Sequence, residues 1–372
     1  MKGFLTHLLL SLFFGGMLLS PLPALATSPP ASSLWAHLAP HPDYPIEWWY
    51  MTGYLSTAKK RHFGFQATFF RMTTKIGQAP APQKTESPWS PREIFGFHGA
   101  VSDLDRKTFV STERERRGFS RSVLAQKDPF SVRIGRNRLD HPKSSAPSLD
   151  LVFRVGNQSF NLNLTPLSSP VWHSAQRKFF TGASPEDWAY YYSYPLVTIT
   201  GSVTTVLPDG TQQTESVHGQ CWFDHEWMVH SMAKDQIGWI WVWAWNKTNT
   251  RGIMLYQMLD RGAGLSPFHR ATVLERRGDV WTVTRTRNVR LLKGKNGRCL
   301  DLSRIAFLVG SGTVVRVHPE IERQILTGAV SYWEGAARIT LGPPSSPESG
   351  KGYLEVTGLE SLRHGSLCRN KP

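Results

Sequence analysis

"GWIWVWAW" at 238–245 alternates without a break. Trp239, Trp241, Trp243 and Trp245 fall on one side of an extended chain, and Ile240, Val242 and Ala244 on the other. A period of two belongs to a β-strand, whose successive side chains point to opposite faces. Working outward, the same reading applies to "EWWYMTGYL" (47–55), "FGFQATFFR" (63–71), "LDLVFRV" (149–155), "SFNLNLTPL" (159–167), "LVTITGSVTTVL" (196–207), "GIMLYQML" (252–259), "VWTVTRTRNVRLL" (280–292) and "AARITLG" (336–342). Turn signals lie between them: "GNQ" at 156–158, "PDG" at 208–210, "KTNTRG" at 247–252 and "RRGD" at 276–279. Helical periodicity is scarce; "SPEDWAYYY" at 184–192 is the one candidate for a short helical turn, with Ser184 as its cap. The Pro-rich stretches 78–91 and 342–352 read as long loops. The fold class is all-β.

Two aromatic hairpins share a plan. "EWWYMTGYL" leads to a strand carrying Gln66 and Arg71, and "GWIWVWAW" leads to one carrying Gln257 and Arg261. A repeat on that scale predicts two similar β-domains in tandem. Many short strands joined by tight turns favour closed antiparallel barrels or sandwiches. The boundary is expected around 230–237.

The chain has 372 residues, enough for two cores. Its start is a leader: Lys2, an apolar run from about Leu8 to Leu19, then Ala24-Leu25-Ala26 as a small-x-small cleavage site. This predicts a signal peptide over 1–26, and hence export to the periplasm or cell envelope. After residue 30 no apolar run of the ~18 residues needed to span a bilayer occurs. There are 43 Lys+Arg against 28 Asp+Glu, a net charge of +15. The charge is spread along the chain, which suits an anionic membrane surface or an acidic ligand. No helix-turn-helix or zinc finger supports nucleic-acid binding. Three cysteines, Cys221, Cys299 and Cys368, fit neither a zinc site nor a disulfide scaffold. Cys221 reads as a small buried hydrophobe. There is no Gly-x-Ser-x-Gly elbow, phosphate loop or dinucleotide fingerprint, so neither a serine hydrolase nor an organic cofactor is implied.

"HPDYPIEWWYMTGYL", "GFQATFFR", "FGFHGAVSD", "YYSYPLVTITGSV" and "WFDHEW" occur in that order. Together they resemble the AttH/carotenoid 1,2-hydratase family of lipocalin-like proteins, over roughly residues 41–365. The resemblance implies two consecutive lipocalin-like (calycin) antiparallel barrels, an AttH-type one over 41–232 and a second over 233–367. One branch of the family hydrates the terminal double bond of acyclic carotenoids without a cofactor. An AttH-like branch is exported alongside ABC-type permeases, which makes such a permease the implied protein partner. Related fungal proteins bind polyenes. The shared ligand is apolar or amphipathic and of lipid or isoprenoid kind.

The densest chemical packet is "FDHEWMVHS" at 223–231. A zinc-protease helix needs His-Glu-x-x-His, which puts both imidazoles on one helix face. His225 and His230 are five apart, share no face in a helix or a strand, and have no obvious third ligand; no metal is expected. Proton transfer suits the packet better. A carboxylic acid in an apolar barrel has a raised pKa and can stay protonated near neutrality. Aromatic faces stabilise a passing cation. Asp224, Glu226, Trp222, Trp227 and Trp241 supply both parts. The resemblance adds a His-x-Trp pair, matched by His225 and Trp227, and a downstream Tyr-x-Asp. There Tyr256 matches, but Met258 stands where the acid should, and Asp260 is the nearest carboxylate. This departure favours ligand binding over hydration. The candidate catalytic residues are therefore Asp224, Glu226, His225 and Tyr256. Glu47, Trp49 and Tyr50 of "EWWY", His98 of "FHGAVSD", and Tyr192 of the tyrosine cluster are candidates for ligand contact with Trp222, Trp227 and Trp241. The competing reading is structural: buried carboxylates need partners, and Arg71, Arg261 and His98 are available to Glu47, Asp224 and Glu226.

Overall fold

The computed structural model describes residues 35, 37–73, 93–118, 123–141, 148–261, 264–278, 280–293, 295–296, 299–328 and 331–358, with the backbone alone at 264, 293, 295–296, 299–300 and 304, and the backbone of 24–26. The loop at 78–91, Cys368 and the side chain of Cys299 lie outside the described residues. So does the expected leader, apart from the backbone of Ala24–Ala26, which pairs with Trp281–Val283.

Two antiparallel sheets account for nearly all the regular structure. The first runs from Ile46–Thr57 to Gln212–Met228, the second from Gln236–Asn246 to Glu348–Val356. Both follow one plan. Each begins with a four-stranded meander: Ile46–Thr57, His62–Thr73, Glu93–Asp103 and Thr108–Arg117 in one sheet, Gln236–Asn246, Arg251–Asp260, Gly264–Arg277 and Val280–Thr286 in the other. In each sheet the last strand then returns to pair beside the first. That return curls each sheet into a nearly closed barrel and leaves few free edges. The two aromatic hairpins of the sequence are thus the equivalent first hairpins of two tandem lipocalin-like barrels.

Most strands lie where the alternation put them. Three segments differ. Residues 184–192 hold no helical turn; a bend around Ser184 and Asp187 leads straight into the strand Trp188–Val206. Asp187 Oδ2 accepts from the Ser184 N–H at 2.9 Å, which closes a local turn, and the β-prone tyrosines then pair with the strand carrying Asp224. The segment 280–292 is two strands, Val280–Thr286 and Val289–Lys293, at opposite ends of the second sheet. The stretch 342–352 is a tight turn between Tyr332–Gly342 and Glu348–Val356 rather than a long loop. Gly350 and Gly352 pass so close to Trp245 and Trp243 that an added Cβ would sit about 2 Å from a backbone oxygen; only glycine permits this pairing.

Each barrel has its own apolar interior. The first holds Trp49, Phe65, Phe69, Phe97, Phe153 and Leu162; the second holds Ile240, Val242, Leu255, Val315 and Trp333. A third core lies between the barrels, where the outer faces of the two first strands meet: Tyr50 and Tyr54 from one, Trp241, Trp243 and Trp245 from the other. Strands apolar on both faces are the physical requirement of this arrangement, and they explain the tryptophan row. Each tryptophan sheathed there contributes roughly 2–3 kcal/mol of burial, and each indole N–H is spent: Trp243 on Thr52 at 2.7 Å, Trp245 on the Pro195 carbonyl at 2.6 Å.

Candidate active site between the barrels

The strand Gln212–Met228 carries the "DHEW" packet, and its pleat splits the packet in two. Odd residues point into the first barrel. Even residues point outward, toward the second.

On the inner face His225 Nε2 lies 2.9 Å from Glu47 Oε1, and Arg71 Nε donates to Glu47 Oε2 at 2.9 Å. His41 Nδ1 meets the same Oε1 at 2.8 Å, and the His41 ring stacks on Trp227 at 3.6 Å. Arg71 also donates to the carbonyls of His41 and Tyr44, Trp49 Nε1 to that of Leu38, and Tyr192 to that of His37. The cluster therefore clamps segment 37–44 over one end of the first barrel. Burial alone would raise the Glu47 carboxyl; hydrogen bonds from His225 and His41 and the Arg71 charge together hold it far below the usual carboxylate range. Burial lowers His225, against the pull of Glu47. His41, Glu47 and His225 bring their potential ligand atoms within 4.8 Å of one another. All the donors converge on the carboxylate itself, at hydrogen-bond distances, and a guanidinium already balances its charge, so the geometry is that of an ion cluster rather than a metal cage. His230, the other half of the zinc-like spacing, is exposed.

On the outer face Asp224 and Glu226 line a cavity between the barrels, with about 80 Å³ of free space. Its walls carry Trp48, Tyr50, Tyr191, Trp239, Trp241, Tyr256, Tyr332 and Glu355, and among the described residues no Lys, Arg or His. Trp48, Phe70, Ser231 and Trp239, with Glu226, Tyr256 and Glu355, are partly exposed and form the accessible side. Asp224 is fully enclosed by donors: Trp222 Nε1 at 2.6 Å and Ser193 Oγ, both on Oδ1, and the Tyr191 hydroxyl on Oδ2 at 3.0 Å. Tyr191 in turn accepts from Trp241 Nε1 at 2.8 Å, which commits its own proton to Asp224. Burial pushes the Asp224 carboxyl up to about 7 despite those three donors. Glu226 is driven well up by burial and by the charges of Asp224 and Glu355, with only the Trp48 side chain as hydrogen-bond partner. Glu355 reaches about 7, again through burial, and accepts from Trp239 Nε1 at 3.2 Å. Directly across the strand pair from Glu355 stands Glu334, buried, raised, and bonded to the Tyr50 hydroxyl at 2.8 Å.

The structure thus brings together Asp224, Glu226, Tyr256, Tyr50 and Trp241 of the expected site. Trp222 stands behind it, on Asp224. His98 lies one residue further back, its Nδ1 2.9 Å from the Tyr332 hydroxyl, and burial lowers it to about 4. His225, Glu47, Trp49, Tyr192 and Trp227 face the first barrel and do not line the cavity, because alternation sends neighbours to opposite faces. The arginine clamp expected for the carboxylates holds for Glu47 alone. Arg261 is exposed and donates to the Lys234 carbonyl at 3.1 Å; neither it nor Arg71 meets Asp224 or Glu226. Met258 occupies the place beside Tyr256, its Sδ accepting the phenol at 2.6 Å, and Asp260 lies outside the cavity. Glu355 and Glu334 come from the second barrel and were not singled out in the sequence. A lone acid in the apolar strands "YWEG" (332–335) and "YLEV" (353–356) was the available signal.

A match to the AttH-like family model covers residues 26–359. The chain belongs to the AttH-like family. Among solved structures, a protein of Nitrosomonas europaea named as an AttH is 22% identical, with 86% of this chain and 94% of that one covered and a TM-score of 0.69. Kievitone hydratase from Nectria haematococca is 14% identical, with 90% and 97% covered and a TM-score of 0.63. CghA, solved with Sch210972, is 14% identical, with 91% and 95% covered and a TM-score of 0.51. At these identities the likeness concerns the fold, which this AttH-like chain shares with a hydratase. No curated protein matches the sequence.

Proposed function

We propose that this AttH-like protein is a cofactor-independent hydratase or cyclase that acts by acid on a carbon–carbon double bond of an apolar, isoprenoid- or polyene-like molecule. The observation that carries the reading is a cavity lined by aromatic rings and three carboxyl groups and, among the described residues, by no basic side chain. A carboxyl kept for structure alone is normally given a cation, as Glu47 is; these are left able to hold a proton near neutrality. The free space suits the reacting end of a molecule, the remainder lying along the accessible side.

In the proposed reaction Glu226, raised by burial and by the charges of Asp224 and Glu355, gives its proton to one alkene carbon. The π pair becomes the new C–H bond and the other carbon is left cationic. The rings of Trp48, Trp239 and Trp241 and the Asp224 carboxylate stabilise that charge. Water adds through its oxygen, its spare proton passes to Asp224, and transfer from Asp224 to Glu226 restores the start. Attack by a second double bond in place of water would close a ring and leave a new cation, which becomes neutral by losing a proton to Asp224. Glu355 replaces the acid that Met258 lacks, from a different strand.

The test is incubation with an acyclic polyene in D₂O, read by mass spectrometry. Deuterium on carbon, lost in Asp224→Asn and Glu226→Gln with binding retained, is the expected result. Tight binding with no deuterium on carbon would leave the carrier function instead, an exported lipocalin-like protein holding a lipid-like ligand. In either case we infer work in the periplasm or envelope, from the leader read in the sequence, and an ABC-type permease as partner, from the family resemblance. Cell fractionation and co-purification with the permease test that placement.

A further inference from the structure

One buried histidine has no part in the mechanism above. His173 follows the two-residue strand Val171–Trp172 and is wedged between the barrels with 1% of its surface exposed. Its Nε2 lies 2.6 Å from Ser193 Oγ, and its Nδ1 lies 2.8 Å from Oγ1 of Thr272, on a strand of the second barrel. Ser193 is the residue that donates to Asp224 Oδ1. We propose that His173 is a positioning residue which, through Ser193, holds Asp224 as the ionised member of the cavity's carboxyls, and that its bond to Thr272 makes this depend on how the second barrel is seated. The inference rests on the reading of Asp224 as the anionic partner of the acid.

The direction of each bond follows from the last one. A carboxylate can only accept, so Ser193 spends its hydrogen on Asp224. Its oxygen must then accept from His173, which places the imidazole hydrogen on Nε2. Nδ1 is left as an acceptor and takes the Thr272 hydroxyl hydrogen. Thr272, His173, Ser193 and Asp224 form one chain of donors ending on the carboxylate. A neutral imidazole is required throughout, and burial together with the nearby Arg285 charge keeps His173 neutral. A protonated Asp224 would send the chain the other way, with its own hydrogen on Ser193 and the imidazole hydrogen turned to Nδ1. Thr272 can serve either direction, but Trp222 Nε1 can only donate to the same Oδ1, so the chain runs toward the carboxylate and the Thr272 hydroxyl strengthens it from the far end.

The other groups facing this chain are accounted for. Tyr191, on the strand Trp188–Val206, bonds Asp224 Oδ2, and its ring lies 4.3 Å from that of His173. Asp224 acts as a like charge on Glu226, on the same strand, and on Glu355 from the second barrel. Arg285, whose Nε donates to the Trp172 carbonyl at 2.6 Å, is the cation that acts on His173 among the described residues. Thr272 touches none of the cavity carboxyls, which makes it the discriminating position.

The experiment follows the titration of Asp224 in the full chain without substrate. Infrared difference spectra of protein labelled with ¹³C-carboxyl aspartate are taken across pH, with Asp224→Asn identifying the band. Ser193→Ala, which removes a hydrogen bond to the carboxylate itself, should move the Asp224 midpoint up by about one pH unit, and His173→Phe and Thr272→Val, which act through Ser193, should move it up by a smaller, measurable step. Thr272→Val is isosteric and is the deciding variant if His173→Phe does not fold. Thr272→Ser, which restores the hydroxyl, should return the midpoint to its original value. An unchanged midpoint in a folded Thr272→Val protein overturns the proposal. The readout needs no turnover, so its failure is separable from failure to find deuterium in a product.

Discussion

The two faces of one strand solve opposite problems. Inward, Glu47, His225 and Arg71 meet as an ion cluster, and its carboxyl is held far down. Outward, one residue away on either side of His225, Asp224 and Glu226 have donors but no cation, and both are held up. Desolvation acts on both faces in the same sense. The difference is what opposes it: hydrogen bonds from His225 and His41 together with the charges of His225 and Arg71 on the inner face, hydrogen bonds alone on the outer. The first arrangement fastens the chain over a barrel end; the second stores protons beside aromatic rings.

Breaking the inner cluster should have the largest effect. Arg71→Leu leaves Glu47 buried and uncompensated, and should cost about 3–5 kcal/mol at pH 7 in denaturant unfolding. A depressed carboxyl gives stability that is present above its unfolded pKa and lost as pH falls toward the folded one. The gap between Arg71→Leu and the original protein should therefore narrow in acid. A gap that stays constant with pH would mean that the arginine packs but does not balance charge.

The seam that holds the outer face comes next. Gly64 lets the first barrel approach the second so closely that a Cβ there would lie 2.6 Å from Ala336 Cβ. Gly64→Val should cost about 1–3 kcal/mol by overpacking. It should also enhance fluorescence of a polarity-sensitive dye if the cavity opens as the barrels part.

Glu355→Gln should act in the contrary direction. With its carboxyl raised to about 7, the folded chain keeps a proton that the unfolded chain has released, so stability falls as pH rises from the ordinary carboxylate range through 7. Removing that titration should make the variant more stable by about 1–2 kcal/mol above pH 7 and leave it equal at pH 4. Thermal melts at the two pH values check it. No gain at high pH would show that the outer carboxyls are as well compensated as Glu47.

The smallest effect belongs to Tyr54→Phe. This removes a hydroxyl that bonds the carbonyls of Ala337 at 2.8 Å and Gly352 at 2.9 Å across the seam. A loss of about 1 kcal/mol is expected, with no change in the Asp224 midpoint.

The all-β class, most strands, the tandem repeat and the density of chemistry at 224–226 were all legible in the sequence. Each is written in period-two alternation or local residue type, and backbone pleating converts these into structure without help from distant residues. Tyr256, Asp224 and Glu226 could be named for the same reason. Which of them share a cavity could not. His225 and Asp224 are covalent neighbours and face different barrels, while Glu355 is more than a hundred residues from Asp224 and lines the same space. Whether a carboxyl is given an arginine, a ring of indole and hydroxyl donors, or another carboxyl depends on how two barrels dock. Only the tertiary structure decides that docking, because burial and the charges across the seam come from residues that the sequence keeps far apart.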